Sequence, residues 1–131
     1  MTVIARRSSL LLVFALTCFA LALIFSAQQA SAATCTLSSN DKKPNRYGPT
    51  YLKFLSVSGG PSCAGGKDLV RAFYICRTKG SKPVTGKCTV RVSGYSCSET
   101  RYSNITTSYD AKVTCKKGSR KVIHRYQQFK D

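Results

Sequence analysis

Residues 111–126 read Ala-Lys-Val-Thr-Cys-Lys-Lys-Gly-Ser-Arg-Lys-Val-Ile-His-Arg-Tyr. Ala111, Val113 and Cys115 alternate with Lys112, Thr114 and Lys116. A period of two, apolar on one side and polar on the other, is the pattern of a half-buried antiparallel sheet. Lys116-Lys117-Gly118-Ser119 supplies a hairpin turn into a final strand, Lys121 to Phe129. In that strand Val122, His124 and Tyr126 share one face, and Lys121, Ile123 and Arg125 the other. The same period in Cys88, Val90 and Val92, against Thr89, Arg91 and Ser93, predicts another strand. Residues 98–108, rich in Ser, Thr and Asn, read as a loop between strands.

Upstream, Tyr51 to Val57 is rich in aromatic and branched residues and ends at Gly59-Gly60-Pro61, a strand signal. Leu69, Ala72, Phe73 and Cys76 recur at the spacing of one helix face, and Lys79, Gly80 and Pro83 supply a stop. Val70, Phe73, Tyr74 and Ile75 are good strand formers and Gly65-Gly66 weakens the first turn, so the helix over 62–77 rests on its period. Residues 35–50, with Pro44 and Pro49, read as irregular, and there is no internal repeat. The fold expected is α+β: one helix packed on a three- to five-stranded antiparallel sheet.

Residues 1–32 read as a secretory signal peptide. Arg6 and Arg7 precede an apolar run from Leu10 to Phe25, and Ala30-Ser31-Ala32 forms an A-x-A site with cleavage before Ala33. The run is short for a spanning helix, which needs about 20 apolar residues, and no second run follows. Cleavage removes two of the 21 cations and none of the 5 acids, so the formal charge falls from +16 to +14. It leaves a single mature domain, residues 33–131, with six cysteines: Cys35, Cys63, Cys76, Cys88, Cys97 and Cys115. An even count in a short exported chain predicts a framework of three disulfides. Zinc is disfavoured by the lack of any C-x-x-C pair and by a single His. If 63–76 is helical, its two sulfurs lie about 20 Å apart, too far to bridge. Cys88 and Cys97 are also too distant unless the chain folds back at Gly94. Cys76–Cys88, closing the Gly80–Gly86 loop, is the pairing expected; the others stay open.

Cys63 followed by Leu69-Val70-Arg71-Ala72-Phe73-Tyr74, then Gly94-Tyr95-Ser96-Cys97, Val113-Thr114-Cys115-Lys116-Lys117-Gly118 and Val122-Ile123-His124-Arg125-Tyr126, resembles small exported cysteine-containing basic proteins of actinobacteria. The resemblance covers residues 52–128. It implies a strand, a helix opened by a cysteine and a basic antiparallel sheet, and it implies no activity. In a bacterial protein the sequon Asn104-Ile105-Thr106 is idle; in a eukaryotic one it is a glycosylation site.

Composition weighs against most catalytic readings. A ribonuclease would have to pair Glu99 as base with His124 as acid, with Arg101, Arg120 or Arg125 on the phosphorane. A serine hydrolase lacks G-x-S-x-G, and the carboxylates available for sugar hydrolysis (Asp41, Asp68, Glu99, Asp110, Asp131) are scattered. The protein is expected to be non-catalytic, with no cofactor and no metal.

Charge favours binding. An excess of this size attracts polyanions and is screened by salt. Lys116, Lys117, Arg120 and Lys121 gather at the hairpin tip; Lys42, Lys43, Arg46 and Tyr47 form a second group. Arg91, Lys112 and Lys116 are expected to line up with Lys121 or Arg125 on the sheet's polar face, with Tyr47, Tyr51, Tyr95, Tyr102 and Tyr109 interleaved. The partner expected is an anionic polymer or surface (cell envelope, nucleic acid or anionic lipid headgroups) met outside the cell by a monomer, with antimicrobial or toxin-like action as a consequence. A plainer account is that the cations only keep an exported protein soluble. A third class is protease inhibition through the basic loop 77–83, tethered by Cys76–Cys88. The export reading predicts that the secreted protein begins at Ala33 and carries no free thiol. Amino-terminal sequencing and thiol titration check this, and a retained leader or six reactive thiols would overturn it.

Overall fold

The alternation around residue 113 is realised as a long hairpin. In the computed structural model, which describes residues 31–80 and 82–130, β4 (Ser108–Lys117) pairs antiparallel with β5 (Arg120–Phe129) from Ser108↔Phe129 to Lys117↔Arg120. Gly118, at φ +57, takes the first central position of the two-residue turn, a conformation that glycine adopts without steric cost. The signal-peptide reading of residues 1–32 lies almost wholly outside the described residues.

Two further strands flank the hairpin, and a short one closes the far side. β2 (Tyr51–Ser58) pairs with β5, β3 (Ser96–Tyr102) with β4, and β1 (Ala33–Thr34) with β2. The sheet is five-stranded and antiparallel, in the order β1-β2-β5-β4-β3. One face lies under α1 (Cys63–Thr78). Leu52, Leu55, Val57, Val113, Cys115, Val122 and Tyr126 from the strands meet Leu69, Val70 and Phe73 from the helix in one apolar core. The α+β reading therefore holds, with five strands.

The helix begins where a polar cap can satisfy it. The Ser62 hydroxyl accepts from the Gly65 amide at 3.1 Å. The glycines that weaken the first turn also have a packing role. A Cβ on buried Gly66 would lie 2.9 Å from the Val57 Cγ1, so glycine lets the helix start settle close onto β2.

Three disulfides staple the layers. Cys35–Cys63 ties the amino-terminal edge to the helix start, Cys76–Cys88 ties the helix end to the following loop, and Cys97–Cys115 bridges opposed residues of β3 and β4. Cys76–Cys88 is the expected pairing. The loops closed span 28, 12 and 18 residues, and each bridge of that length stabilises by about 3 kcal/mol through the unfolded chain.

Two expectations fail together. Residues 88–93 are not a strand, and residues 96–102, assigned mostly to a loop, are. Cys88 is held to the helix by its disulfide, and the chain reverses at Ser93 (φ +50) and Gly94 (φ +79), leaving one isolated bridge between Val92 and Tyr95. Side chains take the place of a ladder here. Arg77 and the Tyr109 hydroxyl donate to the Val84 carbonyl, and Arg101 donates to the carbonyls of Thr85 (2.8 Å) and Gly86 (2.7 Å). Val92 is buried but Val90 is 68% exposed, so the alternation there does not divide inside from outside.

Loss of the cap should weaken the glycine-rich helix start. Ser62→Ala is expected to lower unfolding free energy by about 1 kcal/mol, and Ser62→Asp to retain most of it. Urea unfolding of the disulfide-intact protein reads this directly; an unchanged midpoint in Ser62→Ala would show that the cap does not anchor α1.

Candidate functional site

Strand alternation sends the inner-facing residues of β4 and β5 under the helix and leaves the others on the bare face of the sheet. Register then decides which cations meet. Lys112 stands opposite Arg125 and Lys116 opposite Lys121, two like-charged cross-strand pairs whose residues are all exposed. A third, Lys117 opposite Arg120, sits beside the turn. Like charges directly opposed across strands destabilise a sheet.

The surroundings of these pairs are hydroxyl-rich. Thr114 and Ile123 lie between them, with Ser96, Ser98 and Thr100 on the β3 side and Ser56 and Ser58 on the β2 side. The Arg125 guanidinium lies 4.7 Å from the Phe54 ring centroid, which orients the cation without neutralising it. Lys53 adds a further cation and ion-pairs with Asp110 at 2.8 Å. Asp110 is the one acid among the described residues of this face, and it is already engaged. At the tip, Lys117 Nζ approaches the Tyr95 ring at 5.8 Å.

The other sequence-predicted cations lie elsewhere. Lys42, Lys43 and Arg46 are exposed, but their segment is fastened to the helix side of the molecule. The Asp41 carboxylate accepts from Lys67 of α1 (2.7 Å), from the Tyr47 hydroxyl (2.7 Å) and from the Ser38 amide (2.9 Å). These bonds, led by that from Lys67, hold the Asp41 carboxyl well below the usual carboxylate range. Arg91 belongs to the irregular 84–95 segment, so its expected place on the sheet's polar face is corrected. Of the interleaved tyrosines, Tyr102 is exposed, Tyr47, Tyr51 and Tyr95 are half-buried, and Tyr109 is buried against two arginines.

The residues considered for acid/base chemistry do not converge. Glu99 and His124 occupy one cross-strand row, separated by Val113, which places their backbones about 10 Å apart. Glu99 is ion-paired to Arg101. His124 is 1% exposed, with Phe73 edge-on to its ring and no hydrogen-bond partner for either ring nitrogen. Burial, reinforced by the Arg77 charge, pushes its pKa down to about 3. Arg125 lies on the opposite face of the sheet and Arg120 at the hairpin tip. Among the described residues no group of three or more His, Cys, Asp or Glu could hold a metal ion.

Arg77 also departs from expectation. Counted in the basic loop 77–83 by the inhibitor reading, it is fully buried at the end of α1, donating to Tyr109 Oη (2.6 Å), to Gln128 Oε1 (2.9 Å) and to the Val84 carbonyl. Its guanidinium lies 5.2 Å from the ring centroids of both Tyr74 and Tyr126. The signal was in the helix period. Arg77 follows Leu69 and Phe73 at steps of eight and four, which puts it on the buried face. Comparison with protein-family models, curated proteins and solved structures finds no match for this chain.

The buried imidazole makes a pH prediction. An unfolded His titrates near 6.5, whereas His124 in the fold titrates near 3, so in that window the unfolded chain takes up a proton that the folded one refuses. Stability is complete above pH 6.5 and falls by about 1.4 kcal/mol per unit below it. His124→Leu is expected to flatten the stability profile between pH 6.5 and 5, above the carboxylate range. Urea unfolding at both pH values tests it, and an equally steep loss in the variant would exclude His124 as the cause.

Proposed function

We propose that the protein is a small exported, non-catalytic binding protein, related in kind to the small basic exported proteins of actinobacteria that its sequence resembles. It acts outside the cell by electrostatic attachment to an anionic polymer. The observation that carries this reading is the two opposed cation pairs on the uncovered sheet face, Lys112 with Arg125 and Lys116 with Lys121. Directly opposed like charges cost stability, and an anionic chain laid across them turns that cost into attraction. The hydroxyls of Ser96, Ser98, Thr100 and Thr114 add neutral donors beside the cations. Export is supported by the leader pattern and by three disulfides, and among the described residues no helix is long and apolar enough to cross a membrane.

The burial of His124 and its separation from Glu99 weigh against ribonuclease roles for that pair. The inhibitor reading keeps the Cys76–Cys88 tether but loses Arg77 from its basic loop.

Heparin and a single-stranded oligonucleotide serve as probes. If the four facing cations each neutralise one anionic group, affinity should fall about a hundredfold between 50 and 200 mM salt. Lys112→Gln with Arg125→Gln should reduce the slope of log affinity against log salt by about 1.5–2, while Lys42→Gln with Lys43→Gln on the helix side leaves it unchanged. Binding that ignores salt, or that responds only to the helix-side pair, would overturn the assignment.

A further inference from the structure

A groove on the opposite side of the molecule has a different chemistry. It encloses about 500 Å³ between the outer flank of α1 and the irregular segment that follows it. Its floor is aliphatic: Ala72 and Ile75 from the helix, Val90 and Val92 from the segment. Ile75 is 52% exposed and Val90 68%, so two branched apolar side chains lining the same groove face solvent. Its rim carries Lys79, Lys82 and Arg91, and none of the described residues lining it is acidic. The groove is also held open in shape. The Cys76–Cys88 disulfide fixes one wall, and the Arg77 and Arg101 bonds to the Val84, Thr85 and Gly86 carbonyls fix the loop that feeds the other.

We propose that this groove is a binding site for a single-chain amphiphile with an anionic head, such as an alkyl carboxylate, taken up as a monomer. The volume lies in the range of small-molecule sites. The floor offers no aromatic ring and no strand edge, the features by which peptides are usually captured, and only Thr89 and Ser93 hydroxyls for directional bonding. What remains is an aliphatic surface for an alkyl chain and three cations for its head. The site is separate from the sheet face and rests on none of the residues that carry the polymer-binding reading.

The experiment uses the disulfide-bonded protein and a series of alkyl carboxylates, octanoate to dodecanoate, held below their aggregation thresholds. Calorimetry gives the affinity, and methyl NMR shifts of Ile75 and Val90 locate the ligand. The expected result is one site whose affinity rises up to about fourfold per methylene, the equivalent of about 0.8 kcal/mol. Ile75→Ser or Val90→Ser should each weaken dodecanoate at least fivefold, and Lys79→Gln with Lys82→Gln about tenfold. Both apolar positions are exposed, so these variants keep the core intact. Lys112→Gln with Arg125→Gln should leave dodecanoate binding unchanged while impairing polymer binding, which separates the two readings. The proposal is overturned if dodecyltrimethylammonium binds as well as dodecanoate, if affinity is independent of chain length, if the sheet-face variant abolishes binding, or if the protein binds anionic vesicles and no monomeric carboxylate.

Discussion

The molecule is organised around one buried cation that has no carboxylate partner. Arg77 leaves the last turn of the helix and reaches Tyr109 on β4, Gln128 on β5 and the Val84 carbonyl in the following loop, with Tyr74 and Tyr126 presenting their rings to it. A desolvated guanidinium is costly unless its donors and its charge both find partners. Here neutral oxygens accept from its two terminal nitrogens and aromatic faces share the charge, while Nε has no partner among the described residues. One side chain therefore joins helix, sheet and loop, and the Cys76–Cys88 bridge next to it fixes the same junction covalently. The charge has a second effect: with burial, it keeps the neighbouring His124 neutral.

This junction explains how so small a domain presents two unlike surfaces. With the helix end pinned over β4 and β5, the inner face is filled and the outer face is left bare, so the cations of the hairpin stand in register. The segment leaving the junction cannot join the sheet, because its carbonyls are taken by Arg77 and Arg101 and its cysteine by the helix. It turns back along the helix instead, and the aliphatic groove forms between the two.

The hairpin and the helix were legible in the sequence because burial on one face imposes a period, which survives in Val113, Cys115 and Val122 or in Leu69 and Phe73, and β2 was legible from its aromatic and branched residues. The departures have two origins. Val90 and Val92 alternate like strand residues, yet the disulfide and the arginine bonds are long-range constraints that local pattern does not carry. β3 was hidden because it is an edge strand whose inward positions are Cys97, Glu99 and Arg101, polar apart from the cysteine, so its alternation has little apolar contrast. The sheet-face cations were half legible. Their alternation puts Lys112 and Lys116 on one side, but only the register pairs them with Arg125 and Lys121, and only the bulge in β2 sends Lys53 toward Asp110. Arg91 was misplaced with its strand.

The sole histidine sits sealed in the core, and this sets how the exterior responds to its surroundings. The side-chain type whose ordinary range lies nearest neutrality is therefore missing from the described surface. Mild acid thus adds no imidazolium to the field around the domain. Acid acts on how long the fold persists, and dissolved ions act on how far the field extends. Salt, and not the imidazole, tunes the reach of that field.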